Sequence, residues 1–442
     1  MQPLDPWIER QYRHSATAML RSVSPVTLVK TRPGFGQTIR ARAGAIVASP
    51  VLAAYDPEPD YFFHWYRDSA VVVDALRLLA EDTDLRIDTR GHFSDFVRFS
   101  VALGELDGRD LVQAPGWRAQ VTGDYLKYLR SDADLASVHG ESVAADTRLN
   151  PDGTLDVSSW ARPQFDGPAL RALALLRWIR SPCFLGAPPA PVEALLRSDL
   201  AVVFKHWRDA SFDIWEEEKG LHYYTLRVSA AALDSGADWL DARSDSTNAR
   251  AYRSDAQSIL RRLDDYWLAE EQYYRSRILE SGERSAKELD IAVILATIHA
   301  AGDAATHSVR DPRMHLTLAR LETLFGDLYP INRERDPAHS PAMGRYAGDV
   351  YFSGGAYFFS TFGAAEFYYC AAPSAQDPHR LLERGDGFLR TARAFTPQSG
   401  DLAEQFDQRT GEPRSARHLA WSYAAFISCI AARRRAQRFL MG

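Results

Sequence analysis

The feature that most constrains this chain is its run of helix-period apolar segments separated by long loops, with almost nothing that alternates like a strand. Apolar residues recur at helical spacing over Ser69–Asp82, Phe93–Leu106, Pro168–Ile179, Pro191–Trp207, Ser254–Leu268, Ala286–Ala301, Pro312–Phe325, Gly355–Tyr369, Leu381–Thr391 and Ala416–Ala432. Proline in the first turn after Asp166–Gly167, and Ser254–Asp255 ahead of the next run, read as helix starts. A small hairpin near Leu221–Val228 is the one strand signal. Between the helices lie loops rich in Gly, Pro, Asp and Trp, at 54–67, 140–167, 211–222, 329–355 and 393–415. No fixed-period repeat is evident. The pattern predicts an all-α domain with its chemistry on loops, built either as a barrel of paired helices or as an irregular bundle.

Charge narrows the function classes. The 52 basic and 58 acidic residues are interspersed and leave a net charge of −6. No basic stripe offers itself to nucleic acid, and no apolar run approaches the length of a membrane span. The first residues carry acids and arginines where an export signal needs an apolar core. Three scattered cysteines point to free thiols in a reducing compartment, and the expectation is a cytoplasmic protein.

Five loops concentrate reactive and binding groups. Tyr61-Phe-Phe-His-Trp-Tyr-Arg-Asp-Ser69 offers the Arg67–Asp68 pair for sugar hydroxyls, with Tyr61 and Trp65 as apolar walls; equally, Asp68 could simply cap the next helix. Ser159-Trp-Ala-Arg-Pro-Gln-Phe-Asp-Gly-Pro168 supplies Trp160, Arg162 and Gln164, or merely a helix start. Phe212-Asp-Ile-Trp-Glu-Glu-Glu-Lys-Gly220 sets three carboxylates beside Trp215. Crowded like charges near an apolar ring favour one raised pKa, as a general acid needs, although an acidic run is commonly a solvated turn. Gly344-Arg-Tyr-Ala-Gly-Asp-Val-Tyr351 carries Arg345, Asp349 and Tyr351. Asp401-Leu-Ala-Glu-Gln-Phe-Asp407, with Ser415 and Trp421 downstream, places Glu404 where it can deprotonate water. Glu216 and Glu404 together suit the two-carboxylate arithmetic of glycoside cleavage. No metal or cofactor motif competes with this reading, so none is expected.

In order, PDYFFHWYRDS, SWARPQFDGPALRA, FDIWEEEKG, RYAGDVYF and LAEQFD…SARHLAWSYAA resemble the catalytic domain of glycoside hydrolase family 15, the glucoamylases and their relatives. The resemblance implies an (α/α)6 barrel, six helical hairpins in a toroid, with a pocket formed by inter-helix loops. It implies Glu216 as general acid and Glu404 as general base of an inverting exo-α-glucosidase releasing β-glucose. It places Tyr61, Trp65, Arg67, Asp68, Trp160, Arg162, Trp215, Glu217, Arg345, Asp349, Tyr351 and Trp421 around the substrate, with Glu217 and Arg345 toward the aglycone. Residues 1–442 then form a single catalytic domain, with no starch-binding domain and no N-terminal β-domain. The expected partner is a short α-linked gluco-oligosaccharide, not nucleic acid or membrane.

Departures from the family pattern fall on the leaving-group side. Ala347–Gly348 stands where relatives often carry a proline and an acid, and Ser353-Gly-Gly-Ala-Tyr357 where Asn-Gly-Asn-Pro-Trp is common. Residues 140–158 keep little beyond a Gly-Glu pair. Linkage preference therefore stays open between α-1,4, an isomaltose-type α-1,6 and trehalose, and a non-catalytic carbohydrate sensor is the third alternative.

Overall fold

The computed structural model describes residues 4–54, 57–85, 87–302 and 304–441. Among the described residues, twelve helices of nine residues or more, numbered here along the chain, alternate between an outer and an inner ring. They are α1 (Leu4–Leu20), α2 (Tyr66–Glu81), α3 (Arg90–Leu103), α4 (Asp166–Arg180), α5 (Ala190–His206) and α6 (Tyr223–Asp241). The second half comprises α7 (Ser246–Leu263), α8 (Ala292–Ala300), α9 (Pro312–Leu328), α10 (Phe358–Ala371), α11 (Pro378–Phe395) and α12 (Ala420–Met441). The even-numbered helices pack in a closed circle, α2 on α4, α4 on α6, α6 on α8, α8 on α10, α10 on α12, and α12 back on α2. Odd-numbered helices lie outside them: α7 packs on α6, α11 on α10 and α1 on α12. This is the (α/α)6 barrel.

Sequence explains which helix goes where. Outer α7 buries only Ala249, Ala256, Ile259 and Leu263, a single stripe at helical spacing. Inner α10, FFSTFGAAEFYYCA, is buried at every position except Cys370, and α8, AVILATIHA, at all but His299. A helix apolar all round belongs inside.

The same logic accounts for the corrections. Residues 223–228 form no hairpin: the strand Lys219–His222 pairs with Ser211–Phe212 and Arg277–Leu279, and α6 starts at Tyr223. The first turns of α6, Tyr223–Ala230, are buried at every position and show no polar face that would reveal helical period, and their aromatic and β-branched residues mimic a strand. Helix α7 begins at Ser246, where the Asp245 side chain accepts from the Asn248 N–H, and not at Ser254. Asp255 instead accepts from the Trp207 indole at 2.8 Å. Helix α8 starts at Ala292, six residues later than its apolar run predicts, because Asp290 bonds the Ala292 N–H and the chain before it is irregular.

Short antiparallel pairs brace the loops at one end of the barrel. His64–Trp65 pairs with Arg148–Leu149 before α2, and Ala356–Tyr357 with Gln405–Phe406 before α10. Among the described residues no helix is long and apolar enough to cross a membrane.

Candidate active site

All five loops converge on the barrel end where the inner helices begin. There they line a pocket of about 260 Å³. Twelve of the fourteen residues expected at the site line it: Tyr61, Trp65, Arg67 and Asp68 at the start of α2, Trp160 ahead of α4, and Trp215, Glu216 and Glu217 ahead of α6. Arg345 and Tyr351 come from the loop before α10, and Glu404 and Trp421 from the entrance to α12.

Glu216 is aimed by its backbone. It sits at φ 67°, the left-handed region that costs a non-glycine residue energy unless its surroundings enforce it. Asp213 is the enforcing group. Its carboxylate accepts from the N–H groups of Trp215 (2.7 Å), Glu217 (3.3 Å) and Glu218 (3.0 Å), and its carbonyl from that of Glu216 (2.9 Å). Buried Arg277 holds Asp213 at 2.9 Å. The turn separates the three carboxylates, so their expected mutual crowding does not occur. Glu217 faces Arg345 (3.1 Å) and Lys287 (2.7 Å), and Glu218 faces Arg277 (2.9 Å). Glu216 points into the pocket, accepting from the indoles of Trp65 (2.8 Å) and Trp160 and from Arg67 (3.1 Å).

Glu404 is 9% exposed and reached by hydroxyls. Ser415 donates to one of its oxygens, and Tyr61 lies 3.4 Å from both while bonded to Tyr351 at 2.8 Å. Burial pushes its carboxyl up to about 7, against the Ser415 hydrogen bond and the Arg345 charge. Burial likewise raises Asp68 to about 6 despite the adjacent Arg67.

Arg67 anchors the pocket floor. Its guanidinium meets Gln164 Oε1 (2.9 Å), Asp166 (3.4 Å), Asp68 (3.6 Å) and Glu216 (3.1 Å). Gly167 permits this: a Cβ there would come within 2.6 Å of Tyr66 Cβ, so only glycine lets α4 approach α2 closely enough for Asp166 to reach Arg67. The far wall is an aromatic stack, with Trp421 on Phe359 at 4.5 Å and Trp215 on Trp421 at 6.5 Å; Asp290 holds the Trp215 indole at 2.8 Å.

Two expected binding residues do not line the pocket. Arg162 turns away from it, because its guanidinium is drawn into ion pairs with buried Asp146 (2.7 Å) and Asp156 (2.9 Å). That network carries Arg148, whose guanidinium lies 3.5 Å from the Trp160 ring centre, so Arg162 supports Trp160 from behind. Asp349 lies behind Arg345, bonded to its Nε at 2.7 Å and to the Tyr357 hydroxyl at 3.0 Å. Sequence reasoning missed Asp290, Arg277 and Phe359, single residues outside the quoted stretches, and gave no role to Asp213 although it stands inside the third of them. Among the described residues no group of three or more His, Cys, Asp or Glu side chains could hold a metal ion.

Residues 145–380 and 372–431 match the family profile described as glycosyl hydrolases family 15. The chain belongs to that family. Glucoamylase 1 of Rhizopus oryzae is 27% identical, over 96% of this chain and 70% of its own length. The intracellular, sporulation-specific glucoamylase of Saccharomyces cerevisiae is 25% identical over 96% of this chain and 83% of its own. Among solved structures, the family 15 glucoamylase of Hypocrea jecorina superposes with a TM-score of 0.80 at 26% identity, covering 98% of this chain and 73% of its own. The Saccharomycopsis fibuligera glucoamylase, at 20% identity and a TM-score of 0.79, shares the fold over 99% of this chain and 96% of its own. This family 15 member is a glucoamylase-like glycoside hydrolase.

Proposed function

We propose that the protein is an inverting exo-acting α-glucosidase releasing β-D-glucose from the non-reducing ends of short α-gluco-oligosaccharides. The observation that carries this is a small pocket into which two carboxylates, Glu216 and Glu404, project from separate loops among aromatic walls. A pocket of that volume suits one terminal sugar, hence exo action. In this reading Glu216 protonates the glycosidic oxygen, and Glu404 activates the water that attacks the other face of the sugar. Arg67 and Asp68 hold hydroxyls of the terminal glucose, Tyr61, Trp65, Trp160, Trp215 and Trp421 wall the pocket, and Glu217, Arg345 and Tyr351 face the leaving group. The barrel runs from α1 to α12, which supports one catalytic domain over 1–442. The cysteines are unpaired, which fits a reducing, cytoplasmic setting.

The departures in the fourth loop support a second reading of the substrate, α-1,6 or α,α-1,1 linked. Tyr357 turns inward to Asp349 and Gln405, leaving exposed Val350 and Phe352 on that loop. Proton NMR of products formed from maltose, maltotriose, isomaltose and trehalose tests both. Initial β-glucose is the expected product, and the fastest substrate identifies the linkage. Initial α-glucose overturns the mechanism; no glucose from any of the four leaves a carbohydrate-binding protein without turnover.

A base must be ionised to act, so kcat/KM of the free enzyme is expected to fall as pH drops through about 7, the value to which burial lifts Glu404. The Ser415 hydrogen bond favours the charged form. Ser415→Ala removes it and should move this acid limb to higher pH, a shift read directly from the pH profile. An unmoved limb would remove Glu404 as the group responsible.

A further inference from the structure

At the opposite end of the barrel, where inner helices α2, α4, α8 and α10 finish, a second cavity of about 830 Å³ opens to solvent. It exists because the inner helices turn small residues to the axis there, among them Ala75, Ala174, Gly363, Ala425 and Ala432. Interiors close-pack, and a void of this size is rare unless water or a ligand fills it. Its volume falls within the usual range for small-molecule sites. A single aromatic layer separates it from the catalytic pocket, since Phe359 and Trp421 line both.

The walls say what fits. Apolar stretches alternate with hydrogen-bonding groups: Glu366, which accepts from Ser428 at 2.6 Å, and Asp74, which pairs with Arg77 and Arg177 at 2.8 and 2.6 Å. Arg180 and Arg435 are exposed at the mouth. Counting Arg310 and Glu81, five arginines face three acids, of which Glu366 is pushed up by burial to about 7, a surplus of two to three positive charges. Four helix C-termini also point here, each carrying about −0.5 charge. The two fields offset each other, so neither an anion nor a cation is favoured. What remains is a dense set of donors and acceptors between apolar patches, which matches hydroxyls on a carbon ring.

We propose that this axial cavity is a second binding site, taking a neutral polyhydroxylated molecule of mono- to disaccharide size.

Equilibrium dialysis with radiolabelled D-glucose tests this without depending on the catalytic reading, because free glucose is not hydrolysed. The wild-type chain should bind two glucose molecules, Ala425→Trp (cavity filled) one, Arg67→Ala (pocket disabled) one, and the double variant none. Maltose turnover retained by Ala425→Trp shows that its fold is intact. If that variant does not fold, Arg435→Ala at the exposed mouth should weaken the second glucose by about tenfold, the loss of one charged hydrogen bond, with maltose turnover unchanged. Glucose bound by the wild-type chain and fully retained in Ala425→Trp overturns the site; a single glucose lost in Ala425→Trp and kept in Arg67→Ala supports it and counts against the catalytic pocket instead. Binding of inorganic phosphate that Ala425→Trp abolishes overturns the neutral class in favour of an anion.

Discussion

Glu216→Gln is expected to lower kcat on maltose by about 10²–10⁴-fold, the usual worth of a positioned proton donor. The amide fills the same space and its oxygen can still accept from Trp65 and Arg67, while its NH2 gives up only the Trp160 indole bond, so most of the loss measures proton transfer and not a collapsed loop. Glu404→Gln should cost a similar factor on maltose. The two variants part company on α-glucosyl fluoride, whose leaving group needs no proton. There Glu216→Gln should recover most of its activity, while Glu404→Gln stays inactive because its water is still not activated. The contrast matters because the surroundings of the two carboxylates differ: burial lifts Glu404 to about 7, whereas Glu216 accepts from Arg67 and two indoles. Recovery of Glu404→Gln and not Glu216→Gln on the fluoride would reverse the roles.

How much of this could be read from the chain depends on how locally each feature is written. The pocket lining was legible because its residues sit in short contiguous stretches whose order is distinctive, and the helix N-termini carrying them all face one end. Arg162 was misplaced for the same reason. It is two residues from Trp160, but nothing in the sequence shows that buried Asp146 and Asp156 pull its side chain the other way. Asp213 lies within a distinctive stretch, yet its role was not legible, since that role is to collect four backbone and side-chain partners around a turn. Among helices, α7 with its single apolar stripe declares a period, although its start was missed. The start of α6 does not, because periodicity is a contrast between two faces and Tyr223–Ala230 is buried at every position.

Arg67→Ala is expected to damage both binding and stability, and Arg67→Lys separates the two. The guanidinium is 6% exposed and its partners are buried with it: Asp166, Asp68, Gln164 and the inner oxygen of Glu216. Truncation leaves Asp166 and Asp68 as unpaired charges beneath the pocket. Breaking a buried charge network this way costs about 3–5 kcal/mol, which should appear as a clear fall in apparent melting temperature. Lysine restores one charge and much of that stability. It cannot restore the fork, because a single ammonium does not span Gln164 Oε1 on one side and Glu216 Oε1 on the other as two guanidinium nitrogens do. The lysine variant should therefore melt near the wild type yet keep a kcat/KM on maltose lower by about two orders of magnitude, since two charge-assisted hydrogen bonds are lost or bent. A lysine variant with wild-type kcat/KM would mean that Arg67 supplies only charge and that the terminal sugar is gripped by other groups. Equal loss of stability and activity in both variants would make Arg67 a purely structural keystone of the α2–α4 contact.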